Sequence, residues 1–184
     1  MARLLPLLLA AACLIACTAS PQPALSLSPS PSPSSAATAA PIVVRPPVEV
    51  LLSDADVGLP RTGGRDRLTL TQAASEQVNE ALALTNYRAW GWADAADRSW
   101  SGPRLVGEIL VLLTKPEGAD LAFHGFAGEL ATRSGCPDGL GLEQCAEDGQ
   151  ALVGRVGRYV FRITAPKTAG DRLAGVQAAR IRRP

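Results

Sequence analysis

The chain has 184 residues, 47% of them hydrophobic, 19% charged and 4% aromatic, with 18 Lys+Arg against 17 Asp+Glu. A formal net charge of +1 lacks the basic field on which nucleic-acid binding depends. One histidine among four cysteines leaves few ligands for a metal centre and few partners for histidine-dependent catalysis.

Met1-Ala2-Arg3 is a short n-region with one positive charge, and Leu4 to Ala16 is apolar. A run of about a dozen residues suits a secretory h-region and falls short of the ~20 needed to span a bilayer. It closes on Leu14-Ile15-Ala16-Cys17, with small Ala16 where a signal peptidase needs a small side chain. Over residues 1–17 this pattern resembles the lipobox signal of bacterial lipoproteins. The resemblance implies removal of a signal peptide, residues 1–16, and diacylglyceryl transfer to the Cys17 sulfur with acylation of the new terminus. The protein is then expected at the extracytoplasmic face of the cell membrane, held by lipid. Each buried CH₂ contributes about 0.8 kcal/mol, so two or more acyl chains suffice without a transmembrane helix. The competing reading is a plain secretory signal with an incidental cysteine; Cys13 lies in the discarded segment and carries no role.

Residues 17–47 form the expected tether. Eight of the chain's 15 prolines fall here among Ser, Ala and Thr, and no charge appears before Arg45. Such a stretch cannot bury a core and is expected to be disordered with polyproline II character. Thirty residues at ~3.1 Å each reach roughly 90 Å at most. The remainder, residues 48–184, is long enough for one domain with its own core.

Within that domain Val48 to Leu52 is apolar and β-prone. Ser53-Asp54-Ala55-Asp56 reads as a capped turn or short helix stopped by Leu59-Pro60. Arg61 to Arg67, with Gly63-Gly64, reads as a loop. Gln72 to Leu84 has helical spacing, with Ala74, Val78, Ala81 and Leu82 on the inward face and Thr71 as N-cap. Tyr87 to Trp92 is expected as a strand that sets Trp90 and Trp92 on one face. After Gly102-Pro103, Arg104 to Leu113 is the strongest strand; Leu105, Ile109, Val111 and Leu113 line one side and Val106, Leu110 and Leu112 the other, so both sides are covered. Thr114-Lys115-Pro116-Glu117 matches a capping box opening a helix to about Thr132, with Ala119, Ala122, Phe123, Phe126 and Leu130 inward. Ala151–Val153 and Arg158–Thr164 read as paired strands around Val156-Gly157. Asp171 is the expected cap of a last helix carrying Leu173, Val176 and Ile181. The order, with short breaks between strands, predicts an α+β domain: an antiparallel sheet of four or five strands with helices packed mainly on one face.

With Cys17 lipidated, Cys136 and Cys145 remain as an even pair. Outside the cytoplasm a disulfide is the simplest reading, and metal binding, the rival, lacks further ligands. No catalytic motif, cofactor motif or metal-ligand spacing stands out. His124 lies one position off an apolar helix stripe and reads as solvated; no G-x-S-x-G elbow accompanies it. Asp54 and Asp56 form a D-x-D pair that suits capping better than cation binding. Asp94 and Asp97 suggest either a carboxylate pair for glycan chemistry or two exposed aspartates. Trp90 and Trp92 are the candidate ligand contacts, by stacking on a sugar or a partner, against the alternative of packing under a helix. Arg61 to Arg65 is a weak anion cradle without the P-loop lysine.

Leu51-Leu52-Ser53-Asp54-Ala55-Asp56, the aromatic segment, the Val106–Leu113 strand, the Ala/Phe helix and the cysteine-bearing loop loosely resemble extracytoplasmic sensor-type domains of bacterial lipoproteins and receptor kinases, over residues 51–164. The resemblance implies an α+β fold and carries over no functional residue; those domains often hold two disulfides, and this chain has cysteines for one. The leading expectation is a lipid-anchored binding or sensing module for an envelope component or partner protein, with no cofactor and no nucleic acid. An envelope-directed hydrolase and a carrier of an apolar ligand are the alternatives.

Overall fold

A computed structural model describes residues 41–102 and 106–184; residues 1–40, to which the expected signal peptide, Cys17 and most of the expected tether belong, lie outside the described residues, as does Leu105. Two one-turn helices, α1 (Pro47–Val50) and α2 (Asp54–Val57), are followed by β1 (Arg61–Arg65), α3 (Leu70–Ser75), α4 (Glu80–Trp90), β2 (Trp92–Trp100), β3 (Val106–Leu113), α5 (Pro116–Gly128), β4 (Gln144–Glu147), β5 (Ala151–Val156), β6 (Tyr159–Thr164) and α6 (Lys167–Arg182). The strands form one antiparallel sheet in the order β1-β2-β3-β6-β5-β4. The α+β class and the antiparallel pairing are as expected, with six strands instead of four or five.

The two extra strands are the sheet's edges, and neither has a periodic apolar pattern to reveal it. β1 contains Gly63 and Gly64. It pairs because the Asp97 carboxylate on β2 accepts the Arg65 backbone N–H at 2.8 Å and because Gly64, at φ +126°, has no Cβ to strike the Asp97 carbonyl. β4 begins beside Cys145, in what reads as loop, and its outer side is met by Ser134, which exchanges backbone hydrogen bonds with Glu147.

Helices cover both faces of the sheet, not mainly one. Strands with apolar residues at odd and even positions need cover on each side. Leu110, Leu112, Phe161 and Ile163 pack with Val50–Leu52, Leu173, Ala178 and Ile181 of the α1–α2–α6 side. Val111, Leu113, Val153 and Val160 pack with Ala73, Ala83, Tyr87, Ala119, Ala122, Phe123 and Phe126 of the α3–α4–α5 side.

Several boundaries shift for local reasons. The expected Gln72–Leu84 helix is two helices: Thr69, not Thr71, caps α3 in a reciprocal box with Gln72, the chain breaks at residues 76–79, and the Asn79 side chain caps α4. Tyr87 to Trp90 continues α4 instead of forming a strand. Gly91, at φ +76°, ends that helix in the left-handed conformation, and β2 starts at Trp92. Thr114 does not cap α5; its backbone N–H is taken by the Gly91 carbonyl, the N-cap is Lys115, and Pro116 stands at the first helical turn. That helix ends at Gly128, yet its inward stripe Ala119, Ala122, Phe123, Phe126 and Leu130 is buried as expected. α6 starts at Lys167, before Asp171. Val48–Val50 is helical, following Pro47. Packing also begins ahead of Val48, within the segment assigned to the tether: the Tyr159 hydroxyl donates to the Arg45 carbonyl and accepts its N–H, both at 2.6 Å, and Ile42 lies against the core.

Candidate functional site

The α3–α4–α5 side leaves part of the sheet uncovered. Registers across β2, β3 and β6 set Ser99 beside Gly107 and Gly107 beside Thr164, and in the next row Asp97 beside Ile109 and Ile109 beside Arg162. These two rows floor an open groove of about 270 Å³. Ala73, Glu76 and Gln77 bound it on one side and Phe126 and Glu129 on the other, with Tyr87 at its wall. Gly107 keeps the centre bare: a Cβ there would meet nothing closer than the Arg98 carbonyl at 3.9 Å.

The charges of the groove are already matched. Arg65 makes a two-pronged contact with Asp97, Nε to Oδ1 at 3.0 Å and Nη2 to Oδ2 at 2.9 Å, and reaches Glu76 at 2.7 Å. Those hydrogen bonds raise the Arg65 pKa further above its ordinary value. Arg162 bonds Glu129 at 2.9 Å, while its Nε–H is buried and finds no acceptor among the described residues. Burial raises the Glu129 pKa against the pull of Arg162. Burial also pushes the Tyr87 hydroxyl up to about 12, helped by Glu129 and Glu76. The groove thus offers hydroxyls, a spare guanidinium donor and aromatic carbon, with its carboxylates and guanidinium groups paired.

The opposite face carries a second polar cluster, with Glu108 and Gln177 buried and Arg98 and Arg180 partly exposed. Glu108, in the middle of β3, is 3% exposed and stands opposite Arg98 of β2. Its Oε2 accepts the Leu52 N–H at 2.9 Å, and Oε1 finds no partner among the described residues. Arg98 donates to the Leu52 carbonyl at 2.7 Å, and Gln177 and Arg180 donate to the Val50 carbonyl at 3.0 and 3.2 Å. Burial pushes the Glu108 carboxyl up to about 8, opposed by the Leu52 N–H, Arg98 and Arg180 and assisted by Asp56.

The sequence candidates fall in separate places. Trp90 ends α4 and Trp92 begins β2, so they do not share a strand face; both are half-buried against the Tyr87 ring, at 5.4 and 4.9 Å between centroids. Asp94 pairs in register with Leu112 and Asp97 with Ile109, so the two carboxylates lie on opposite faces of β2 and form no carboxylate pair. Asp56 completes a capping box with Ser53, and Asp54 accepts the Trp100 indole N–H. His124 is 60% exposed on α5, its Nδ1 2.9 Å from the Asp120 carbonyl. Cys136 and Cys145 stand at disulfide geometry, with Cα atoms 5.8 Å apart. Arg61–Arg65 is edge strand instead of an anion-cradling loop. No group of three or more His, Cys, Asp or Glu suited to a metal ion occurs among the described residues, and none of their helices is long and apolar enough to cross a membrane.

The groove residues Ser99, Gly107, Arg162 and Thr164 escaped sequence reasoning, because their proximity comes from strand register, between neighbours β2 and β3 and between β3 and the distant β6. Arg162 alone left a trace, a charge facing away from Tyr159, Phe161 and Ile163. Compared with protein-family models, curated proteins and solved structures, the chain matches none.

Proposed function

We propose that this chain is a lipid-anchored extracytoplasmic binding or sensing module, held at the membrane through Cys17, and that the groove over Ser99, Gly107 and Thr164 receives its ligand. The groove carries the reading: it is concave, and it combines unencumbered hydroxyls with aromatic wall and charges that are already paired. A ligand with a full charge would have to break Arg65–Asp97 or Arg162–Glu129 to be matched. A small polar envelope component without a dominant charge meets no such cost.

The test uses the full chain and soluble envelope fragments, neutral saccharides and short peptides, followed by titration calorimetry. Gly107→Leu fills the groove, and the space at Gly107 admits its Cβ. Binding by the native chain that is lost in Gly107→Leu, with unchanged melting temperature, supports the reading; fragments that bind both proteins equally overturn the groove assignment. Mass spectrometry of the mature chain tests the anchor: a diacylglyceryl cysteine at position 17 is expected, and an unmodified Cys17 behind residues 1–16 overturns it.

A further inference from the structure

The chain enters the domain at one end of the sheet, and the cations of that end are not neutralised. Ile42 packs beside Gly157 in the β5–β6 turn, and the Arg45 backbone holds the Tyr159 hydroxyl. The Arg45 side chain donates to the Arg180 carbonyl in the last turn of α6, close to Arg182 and Arg183. At the same end Arg158 donates to the Thr114 carbonyl at 2.8 Å, and Lys115 follows Thr114. The Thr114 N–H goes to the Gly91 carbonyl, just past Arg88 in the last turn of α4. Arg88, Lys115, Arg182 and Arg183 are exposed and Arg158 is half-buried. None of them makes an ion pair among the described residues. Of the carboxylates nearby, Asp56 and Glu143 are engaged by Arg180 and Arg155. Glu49 and Glu117 are exposed and too few to offset the cations.

Toward the other end the cations are matched: Lys167 to Glu147 and Asp171, Arg162 to Glu129, and Arg65 to Asp97 and Glu76. Folding does not account for Lys115. It is the N-cap of α5, its side chain caps nothing, and the helix dipole there favours negative charge. Exposed apolar side chains mark the same place. Among the described residues the exposed large hydrophobics are Val78, Leu82 and Leu121, on the α4–α5 side, and Val43 and Val44. Val43 and Val44 are 53% and 43% exposed, although Ile42 before them and Arg45 after them are held against the domain.

We infer that this end of the domain rests on a bilayer surface rich in anionic lipid. Val43 and Val44 enter the headgroup–acyl boundary, and Arg88, Lys115, Arg158, Arg182 and Arg183 face the headgroup phosphates. The inference rests on the anchor proposed above: Cys17 lies upstream of Ile42, so lipid on it brings this end to the bilayer first. Apolar side chains rimmed by cations bind an anionic interface through burial and charge together. The contact also orients the ligand groove. Gly107, in its floor, and Leu113, at the basic end, stand on one strand, roughly 20 Å apart at the usual rise. The groove is thereby presented away from the lipid.

Cosedimentation tests the contact, using the chain from residue 17 with Cys17→Ser so that no acyl chain contributes. The vesicles are equal parts phosphatidylglycerol and phosphatidylcholine, or phosphatidylcholine alone. Binding to the anionic vesicles is expected, about tenfold or more tighter than to the neutral ones and weakened by salt. Lys115→Glu with Arg182→Glu lowers it by about tenfold or more. Val43→Ser with Val44→Ser lowers it about threefold or more and leaves the salt dependence in place. Both double variants keep the native melting temperature. Arg133→Glu, beyond the far end of α5, keeps binding within about twofold. No binding to anionic vesicles, equal binding to both kinds, or an equal loss in Arg133→Glu overturns the inference. Retention on soluble polyphosphate without vesicle binding also overturns it, and assigns the basic end to an anionic polymer. Mass spectrometry reads Cys17 separately, so an acylated chain whose Cys17→Ser form ignores anionic vesicles keeps the anchor and loses only this docking surface.

Discussion

The Trp100 indole N–H donates to the Asp54 carboxylate at 2.7 Å, tying the end of β2 to the first residue of α2. Trp100 is wholly buried, so this donor has no water to fall back on. The D-x-D pair therefore has a structural part: Asp54 anchors the tryptophan, while Asp56 caps its own helix and meets Arg180 at 3.0 Å. Trp100→Phe and Asp54→Ala are each expected to lower stability by about 1–3 kcal/mol. The double variant costs less than the sum of the two, because one hydrogen bond is lost in all three. Urea unfolding of the four proteins measures the coupling.

Glu108 gives the fold an inverted response to pH. The folded carboxyl keeps its proton up to about pH 8, whereas an unfolded one releases it near 4.5. Between these values the folded chain binds more protons than the unfolded chain, so raising the pH through this window favours unfolding. Glu108's contribution is fully present below pH 4.5 and is lost as pH rises to about 8. Glu108→Gln keeps an acceptor for the Leu52 N–H and removes the titration. Its stability, relative to the native chain, should rise with pH across the window; parallel curves would contradict the assignment.

The Cys136–Cys145 bridge closes a loop with a sequence separation of 9 and ties it to β4. In the chain-entropy model so short a loop contributes about 2–3 kcal/mol. Reduction, or the double substitution Cys136→Ser with Cys145→Ser, is expected to lower the unfolding free energy by that amount. Hydrogen exchange should quicken first in β4, an edge strand paired with β5 on one side and met on the other only by the Ser134 bridge at Glu147.

Gly118 allows α5 to lie against the end of α4. A Cβ at this position would collide with the Trp90 carbonyl, a backbone atom that cannot rotate aside. Gly118→Ala is expected to destabilise the domain by several kcal/mol, on the order of other overpacked core changes. Gly128→Ala, on the same helix, meets only the flexible end of Arg133 at 3.4 Å and should be neutral or slightly stabilising. Melting temperatures of the two variants make the comparison.

Much of the fold was readable because it is written in local periodicity. Alternation in Val106–Leu113 and Tyr159–Thr164 places both strands at the centre of the sheet, and the spacing of Ala119, Phe123 and Phe126 names the buried side of α5. Periodicity misled at Val78 and Leu82, where helical spacing of apolar residues was taken for an inward face. Such a pattern reports that a face is apolar, not which surface meets it.

By itself, then, the sequence determined the element types with strong patterns, the cysteine pairing and the antiparallel α+β class, since these follow from side-chain period, turn chemistry and the short spacing of the two cysteines. Tertiary structure alone decided which strands close the sheet, that helices cover both faces, that Glu108 is buried beneath Leu52, and that Ser99, Gly107 and Thr164 meet in one groove. Each of those depends on hydrogen-bond register or packing between segments far apart in the chain, and no local pattern records a partner that lies sixty residues away.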